Sequence, residues 1–341
     1  HGGRPRALAV LLVAVSLSAH AQFVGAAPVD PAADITDTFR NLWDRFRGRK
    51  PPSQIPAGDG ANIGRLVSWN VQTLGKKASK GKKDALRLGL GRALAGAGAS
   101  ILAAQEVAND KGAETLSRQL PDEGRGWTMS FEDTSDSMNN AIYTGPGVRL
   151  DCSGNLNLEG VRHPPHMAHV TVGDADFTVL SVHLSYDKGD AASSAGELKL
   201  IMAWVRAQAA VPGADPDFIV AGDFNLPTGR GKELSARSAD RSWEPIEEAL
   251  GPGFTALVDE PTSRRGREES ANNYDHFLVS DDFLDEELIA AGAVDEREVV
   301  MAERSAGTRA SDHFPIALTF RKSGAGPNGK AVALDGASTC R

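Results

Sequence analysis

Along this chain, apolar runs repeatedly end on a polar residue of a few types: Asn70, Glu106, His183, Asp223 with Asn225, Asp275, and Asp312 with His313. Glu106 and Asp312 offer hard oxygen ligands, which suit Mg²⁺, Mn²⁺ or Ca²⁺. Asn70 can add a neutral oxygen. His183 and His313 supply two groups able to handle protons near neutral pH. Asp223 and Asn225 stand two apart, so in extended chain both point the same way. One carries a carboxylate, the other an amide with both donor and acceptor. There is no Cys or His cluster at zinc spacing, no Gly-rich phosphate loop and no Gly-x-Ser-x-Gly elbow. The set fits hydrolysis of a phosphate ester by metal-assisted attack of water, with the metal and an imidazolium meeting the transition-state charge. Singly, each residue reads equally well as a cap, a turn or a solvated edge. Together they place one cleft above the ends of packed strands.

Such a cleft needs strands to carry it. Phe218 to Ala221 is a short unbroken apolar run, as in a strand buried on both faces, and Gly222 breaks it before Asp223. Residues 66–70 and 101–107 read as strands ending near Asn70 and Glu106. Thr178 to Val182 ends on His183, 272–280 contains Asp275, and 311–320 places Asp312 and His313 before a final strand. Further strands are expected near 126–131, 140–144 and 166–172. Helical spacing marks 81–99 and Glu197 to Ala209, with a short helix near 243–250.

The flanks read differently. Arg4 and Arg6 precede the apolar run Leu8 to Leu17, and small-residue cleavage patterns follow, so 1–26 reads as a secretory signal and the protein as secreted. Within 27–62, the stripe Ile35, Phe39, Leu42, Trp43 and Phe46 reads as a helix packed on the domain or leading into it, with a membrane-surface helix as the alternative. Prolines then mark a linker. The domain proper spans 63–322, and 323–341 is a Gly/Ala/Pro-rich tail without structure. The net charge of −8 argues against a large basic nucleic-acid surface, although a bound cation can supply local positive charge. The two cysteines, Cys152 and Cys340, could form one disulfide in an exported protein.

The ordered set SWNVQTLG, AAQEV, SVHLS, GDFN, YDHFLVS and SDHFPI, spanning roughly residues 65–320, resembles the endonuclease/exonuclease/phosphatase superfamily, most of all its deoxyribonuclease I branch. The resemblance implies an α/β, four-layer sandwich with two packed mixed sheets. It implies a divalent metal, Mg²⁺ or Mn²⁺, at Glu106 with Asn70 and Asp312 nearby, and leaves a structural Ca²⁺ open. His183 and His313 become the acid/base and phosphate-binding pair. Asp275 orients the attacking water, Asp223 and Asn225 position phosphate and the histidines, and Arg162 resembles the phosphate-contacting arginine. His276 is expected to be structural.

Two departures stand out. The branch sets a glutamate against the equivalent of His183, where this chain offers Asn139 or Asn140. The branch also carries an arginine after its Gln-Glu-Val, where Ala108 and Asn109 stand here. An amide can hold a histidine but does not stabilise its protonated form as a carboxylate does. Both changes count against duplex DNA as substrate. SMNNAIYTG is also similar to the nuclease subunit of cytolethal distending toxins. The leading expectation is a secreted metal-dependent nuclease with nucleic acid as its partner. A phosphatase or phospholipid phosphodiesterase acting on a lipid head group is the alternative, and a catalytically dead binding module the third.

Overall fold

Alternation along the strands decides what this fold buries and what it presents. In β1 (Ile63–Leu74), Leu66 packs between two sheets while Val67, Trp69 and Val71 pack under helices. The computed structural model describes residues 62–76, 78–95, 99–134, 136–186, 191–226, 245–258, 262–263, 272–294 and 296–322. The expected signal, the 35–49 stripe, the linker prolines and the tail from 323 lie outside them.

The first sheet runs β11-β12-β1-β2-β4-β3 and the second β5-β6-β7-β8-β10-β9. The first contains β2 (Ala99–Val107), β3 (Thr128–Phe131), β4 (Asn139–Thr144), β11 (Leu288–Ala293) and β12 (Ile316–Arg321) beside β1. The second contains β5 (Val148–Asn155), β6 (His166–Val172), β7 (Ala175–His183), β8 (Phe218–Asp223), β9 (Phe254–Leu257) and β10 (Asp275–Ser280). Strand β1 pairs parallel with β2, and β7 with β8; the other pairs are antiparallel, so both sheets are mixed.

Three apolar cores give the layers. Leu66, Ile101, Phe177, Ile219, Phe277 and Phe320 fill the space between the sheets. Trp69, Leu102 and Tyr143 pack with α1 (Lys80–Ala93) and α2 (Asp110–Ser117) on the outer face of the first sheet. Leu180, Val182 and Val220 pack with α3 (Ala191–Ala209) on the outer face of the second. Helices α4 (Asp281–Glu286) and α5 (Glu296–Ala306) have six and eleven residues, and residues 245–250 form a further helical segment. This is the expected four-layer α/β sandwich. The expected strands at 66–70, 101–107, 166–172 and 176–182 are all present. Strands β5 and β11 and helix α5 were not anticipated. The 272–280 run starts as a strand only at Asp275, and the 311–320 run only at Ile316, because Asn272 to Tyr274 and Ser311 to Pro315 are irregular. Cys152, on β5, is buried and disulfide-bonded; Cys340 lies outside the described residues.

Candidate functional site

The two-residue period explains which polar side chains meet. On β8, Ile219 and Ala221 point between the sheets, so Asp223 does too. On β10, Phe277 and Val279 point between the sheets, which puts Asp275 on that face and His276 on the other. On β7 the same parity brings His183 inward after Phe177 and Val179, and on β1 it brings Asn70 inward after Leu66. Glu106 breaks the rule. Ile101, Ala103 and Gln105 hold the inner phase, so regular strand would turn Glu106 outward. Its φ of 58° redirects it, beside a bulge in both flanking ladders. Gln72 and Thr73 opposite have φ of 53° and 50°. Non-glycine residues in this region carry backbone strain, and here it gathers around one carboxylate. Gly222 is required for a different reason than the turn its place in the sequence suggested. A Cβ there would lie 1.9 Å from the Val182 carbonyl oxygen.

Asp223 is the hub. Its Oδ2 accepts from Asn70 Nδ2 at 3.0 Å and lies 3.5 Å from His313 Nε2 and 3.7 Å from His183 Nε2. Its Oδ1 accepts from the Asn225 N–H at 2.9 Å, and Asn225 Nδ2 donates to Leu184 O at 2.8 Å. Asp275 is fully buried, and its Oδ2 lies 2.8 Å from His313 Nδ1. Burial alone would lower the proton affinity of His313. The carboxylates of Asp275 and Asp223, the hydrogen bond to Asp275 and the charge of Asp312 outweigh it and push the pKa up to about 10. Burial raises the pKa of Asp275 as well, against the pull of His313, so the pair as a unit keeps a proton at neutral pH. Trp69 Nε1 donates to His313 O at 3.0 Å, and Ser311 Oγ donates to Asn70 O at 2.5 Å, so the loop carrying Asp312 and His313 is tied to β1.

Glu106 accepts from Asn70 Nδ2 at 3.0 Å and from Thr73 Oγ1 at 2.8 Å. Lys82, from α1, donates to Gln72 O at 2.8 Å. Burial lowers its pKa, and the nearby charges of Asp312 and Glu106 oppose that shift. Glu106, Asp312, Asp223, Asn225, His183, His313 and Arg162 all line one cleft of about 680 Å³. Of the sequence-derived set, Asn70 and Asp275 do not line this cleft; they stand behind it, bonded to Glu106 and Asp223 and to His313.

The donor set fits a divalent cation at Glu106 and Asp312, two carboxylates facing one polar opening. Asn70, the expected neutral ligand, is held beside Glu106. Its Oδ1 accepts from the Gln72 N–H at 2.9 Å, and its amide nitrogen braces Glu106 and Asp223. Asp223, Asp275 and His313 also lie within 4.8 Å of one another. A metal there would need a free imidazole lone pair, and both nitrogens of His313 face carboxylates. In that trio the imidazole and the two carboxylates are paired with one another.

Other expectations are corrected. Neither Asn139 nor Asn140 hydrogen-bonds His183: Asn139 Oδ1 accepts from Thr134, and Asn140 Nδ2 donates to Pro164 O at 2.9 Å. Asn109, where the branch carries its arginine, caps α2 by accepting from the Gly112 N–H at 3.0 Å. His276 is structural, as expected: it is fully buried, its Nδ1 meets Val258 O at 3.1 Å, and burial lowers its pKa to about 4.

Three side chains at the site were not anticipated. Glu197, on α3, accepts from the Arg162 and Ser185 N–H groups at 3.0 and 2.8 Å and from Ser185 Oγ at 2.7 Å, fixing the backbone on either side of the cleft mouth. Its start-of-stripe position on a helix gave no chemical signal. His163 and Asp136 also line the cleft. The adjacency of His163 to Arg162 was the signal that could have found it.

No family model and no curated protein matches this chain. Solved structures do. TDP2 from D. rerio, complexed with a single-strand DNA product, is 15% identical with a TM-score of 0.54, covering 76% of this chain and 98% of that one. TDP2 from C. elegans is 16% identical with a TM-score of 0.54, covering 83% and 84%. An endonuclease/exonuclease/phosphatase family protein from Leptotrichia buccalis is 14% identical with a TM-score of 0.51, covering 75% and 98%. With the layers, the sheet order and the strand-end polar set in place, this chain has the fold of the endonuclease/exonuclease/phosphatase superfamily, the deoxyribonuclease I-like four-layer sandwich.

Proposed function

We propose that this protein is a divalent-metal-dependent phosphodiesterase whose substrate is a nucleic acid. One observation carries the reading. A protonated His313, clamped by Asp275 and Asp223, shares a cleft with Glu106 and Asp312, so an anion-binding group and a cation-binding group face the same space. A cation held at Glu106 and Asp312 would polarise a phosphoryl oxygen. The chain's own residues do the rest. His313 Nε2, the looser of its two contacts, is placed to hydrogen-bond a phosphate oxygen. Arg162, exposed on the rim, adds a second positive group. Asp223 accepts the proton of an attacking water or steadies the imidazole that does, and Asn225, fixed by its bond to Leu184 O, meets the phosphate.

Nucleic acid is favoured because a similar structure was obtained with a single-strand DNA product. Asn109, a helix cap where the branch carries its arginine, and the net charge of −8 favour single strands over duplex. Export is proposed with it, on the Arg4, Arg6 and Leu8–Leu17 pattern. Native protein should then begin between about residues 20 and 30 by mass spectrometry; an intact start at His1 would reject export.

The deciding assay offers the full chain single-stranded DNA, duplex DNA, RNA, a phosphoinositide and sphingomyelin vesicles, with EDTA or Mg²⁺ or Mn²⁺. Cleavage of a nucleic acid that needs the cation is the expected result. Glu106→Gln should raise the Mg²⁺ concentration needed while leaving melting unchanged. Cleavage of only the lipids would replace the substrate reading. No hydrolysis of any of them with either cation would end the enzyme reading.

A further inference from the structure

Among the described residues, His183 has no hydrogen-bonded partner of the kind that a proton-handling imidazole needs: its Nδ1 is buried and unbonded. Its Nε2 lies 3.9 Å from Glu106 and 3.7 Å from Asp223, beyond hydrogen-bond distance. What lies against the ring is another ring. His163 stacks on it with centroids 5.4 Å apart and planes 13° from parallel.

His163 is itself fixed from several sides. Its Nδ1 lies 2.8 Å from Asp136 Oδ2, while Asp136 Oδ1 accepts from the Met138 N–H at 3.3 Å. The two amides expected at His183 serve this pair instead. Asn139 accepts from the Thr134 N–H and hydroxyl, at 3.2 and 2.5 Å, and so closes the loop that carries Asp136. Asn140 donates to the carbonyl of Pro164, next to His163. Asp136 thus holds the ring itself, bonds within 134–140 and from Asn140 to Pro164 hold the backbone around it, and the ring's face meets His183.

We propose that His163, oriented by Asp136, is the positioning residue of His183. Its fixed face sets the plane of the imidazole that handles protons at the phosphate, in place of a carboxylate bonded to that imidazole. The electrostatics agree. Burial, then the charge of His183, lower the proton affinity of His163, and Asp136 opposes them. A neutral His163 donating Nδ1–H to Asp136 adds no repulsion when His183 carries a proton. Two stacked imidazolium rings would repel. The role rests on the phosphodiesterase reading of the cleft, but its geometry does not.

Three variants of the full chain separate the ring face from the bond that holds it: His163→Ala, His163→Phe and Asp136→Ala. The first readout needs no activity. Ring ¹H–¹⁵N spectra of the metal-free protein should show His183 in one tautomer and one conformer. In His163→Ala those signals should average or double, and in His163→Phe, which keeps a flat face, they should return to one set. The second readout is hydrolysis of bis(p-nitrophenyl) phosphate with Mg²⁺. His163→Ala should lower kcat about 10- to 100-fold with KM within about twofold, Asp136→Ala less, and His163→Phe should recover to within about fivefold of wild type. Unchanged His183 signals in a folded His163→Ala protein would overturn the proposal. So would a His163→Phe protein no better than His163→Ala in both readouts. If the wild type does not hydrolyse the ester, the phosphodiesterase reading fails by itself, and the ring signals alone decide the positioning role.

Discussion

Each end of the second sheet meets a histidine with two aspartates, and the two trios behave differently. At one end Asp223 closes β8 and Asp275 opens β10, with His313 reaching them from the loop before β12; at the other, near the starts of β7 and β8, stand Asp176 and Asp215 with His169 on β6. In each, the candidate ligand atoms lie within 4.8 Å of one another, and the aspartates are buried. At the cleft end the imidazole sits 2.8 Å from one carboxylate and 3.5 Å from the other, and its charge is stabilised. At the far end the contacts are 3.6 and 3.9 Å, and burial lowers the proton affinity of His169. Asp215 Oδ2 there is buried without a hydrogen bond, and burial, first among its causes, pushes its pKa up to about 8. Residue types do not distinguish a site from a stability element. Close pairing, and an opening onto a cleft, do.

The sharpest way to break this comparison is to make the same substitution at both ends. His313→Gln should lower kcat about 10²- to 10³-fold, the usual loss on removing a positioned donor to the transition-state charge, with a smaller change in KM. His169→Gln should leave kcat within about twofold of wild type, since nothing ties that end to the reacting atoms. Steady-state kinetics and melting temperature on both proteins check it. Equal losses of kcat at the two ends, tracking stability, would mean that His313 only supports the fold.

The fold itself was legible because its apolar runs are short, inward-facing and end on polar residues. The strand parity that separates Asp275 from His276 is a plain consequence of period two, with Phe277 and Val279 marking the inner face. Other parts of the site were hidden for physical reasons. Glu106 reaches the cleft only through a left-handed backbone, which no side-chain pattern announces. Asn70 turned its amide nitrogen to the carboxylates because the Gln72 N–H claimed its oxygen, a choice made by a neighbour's backbone. His163 and Asp136 are 27 residues apart and meet across a loop and a strand edge, so their spacing carries no signal. Edge strand β11 has only half-buried positions, and its small residues lack the apolar contrast that marks a strand.

A second test strikes the cleft end through backbone alone. Gly222→Ala would push a methyl group against the Val182 carbonyl oxygen, which is backbone of the neighbouring parallel strand and cannot rotate away. The strands must separate where they deliver His183 and Asp223. A loss of about 3 kcal/mol or more is expected, about 6–12 °C in Tm for a domain of this size. An unchanged Tm would show that the strand ends yield freely, and with it the close packing that sets His183 beside Asp223 would fall.

The smallest effect concerns the far end, and its sign follows from linkage. Asp215 and Glu287 are both buried, and burial, with neighbouring carboxylates, pushes each from the usual acid range up to about 8. The folded protein therefore binds protons that the unfolded chain has released, between about pH 4 and pH 8. Stability contributed by these protonated acids is full below the unfolded value and is lost as pH rises through the folded one. Asp215→Asn keeps an oxygen that can accept from the Asp217 N–H, now at 2.9 Å, and removes the ionisation. It should flatten the fall in Tm between pH 5 and pH 9 and raise stability at pH 8.5 by about 1–2 kcal/mol, with no gain at pH 4.5. His313 has the same sign but a higher range, since its folded value lies near 10, so the two ends separate on one Tm–pH curve. Denaturation of wild type and Asp215→Asn across that range decides the matter. A variant less stable than wild type at pH 8.5 would show that the ionised Asp215 is held by a favourable contact, with His169 the candidate at 3.6 Å, and the two ends of the sheet would then be paired alike.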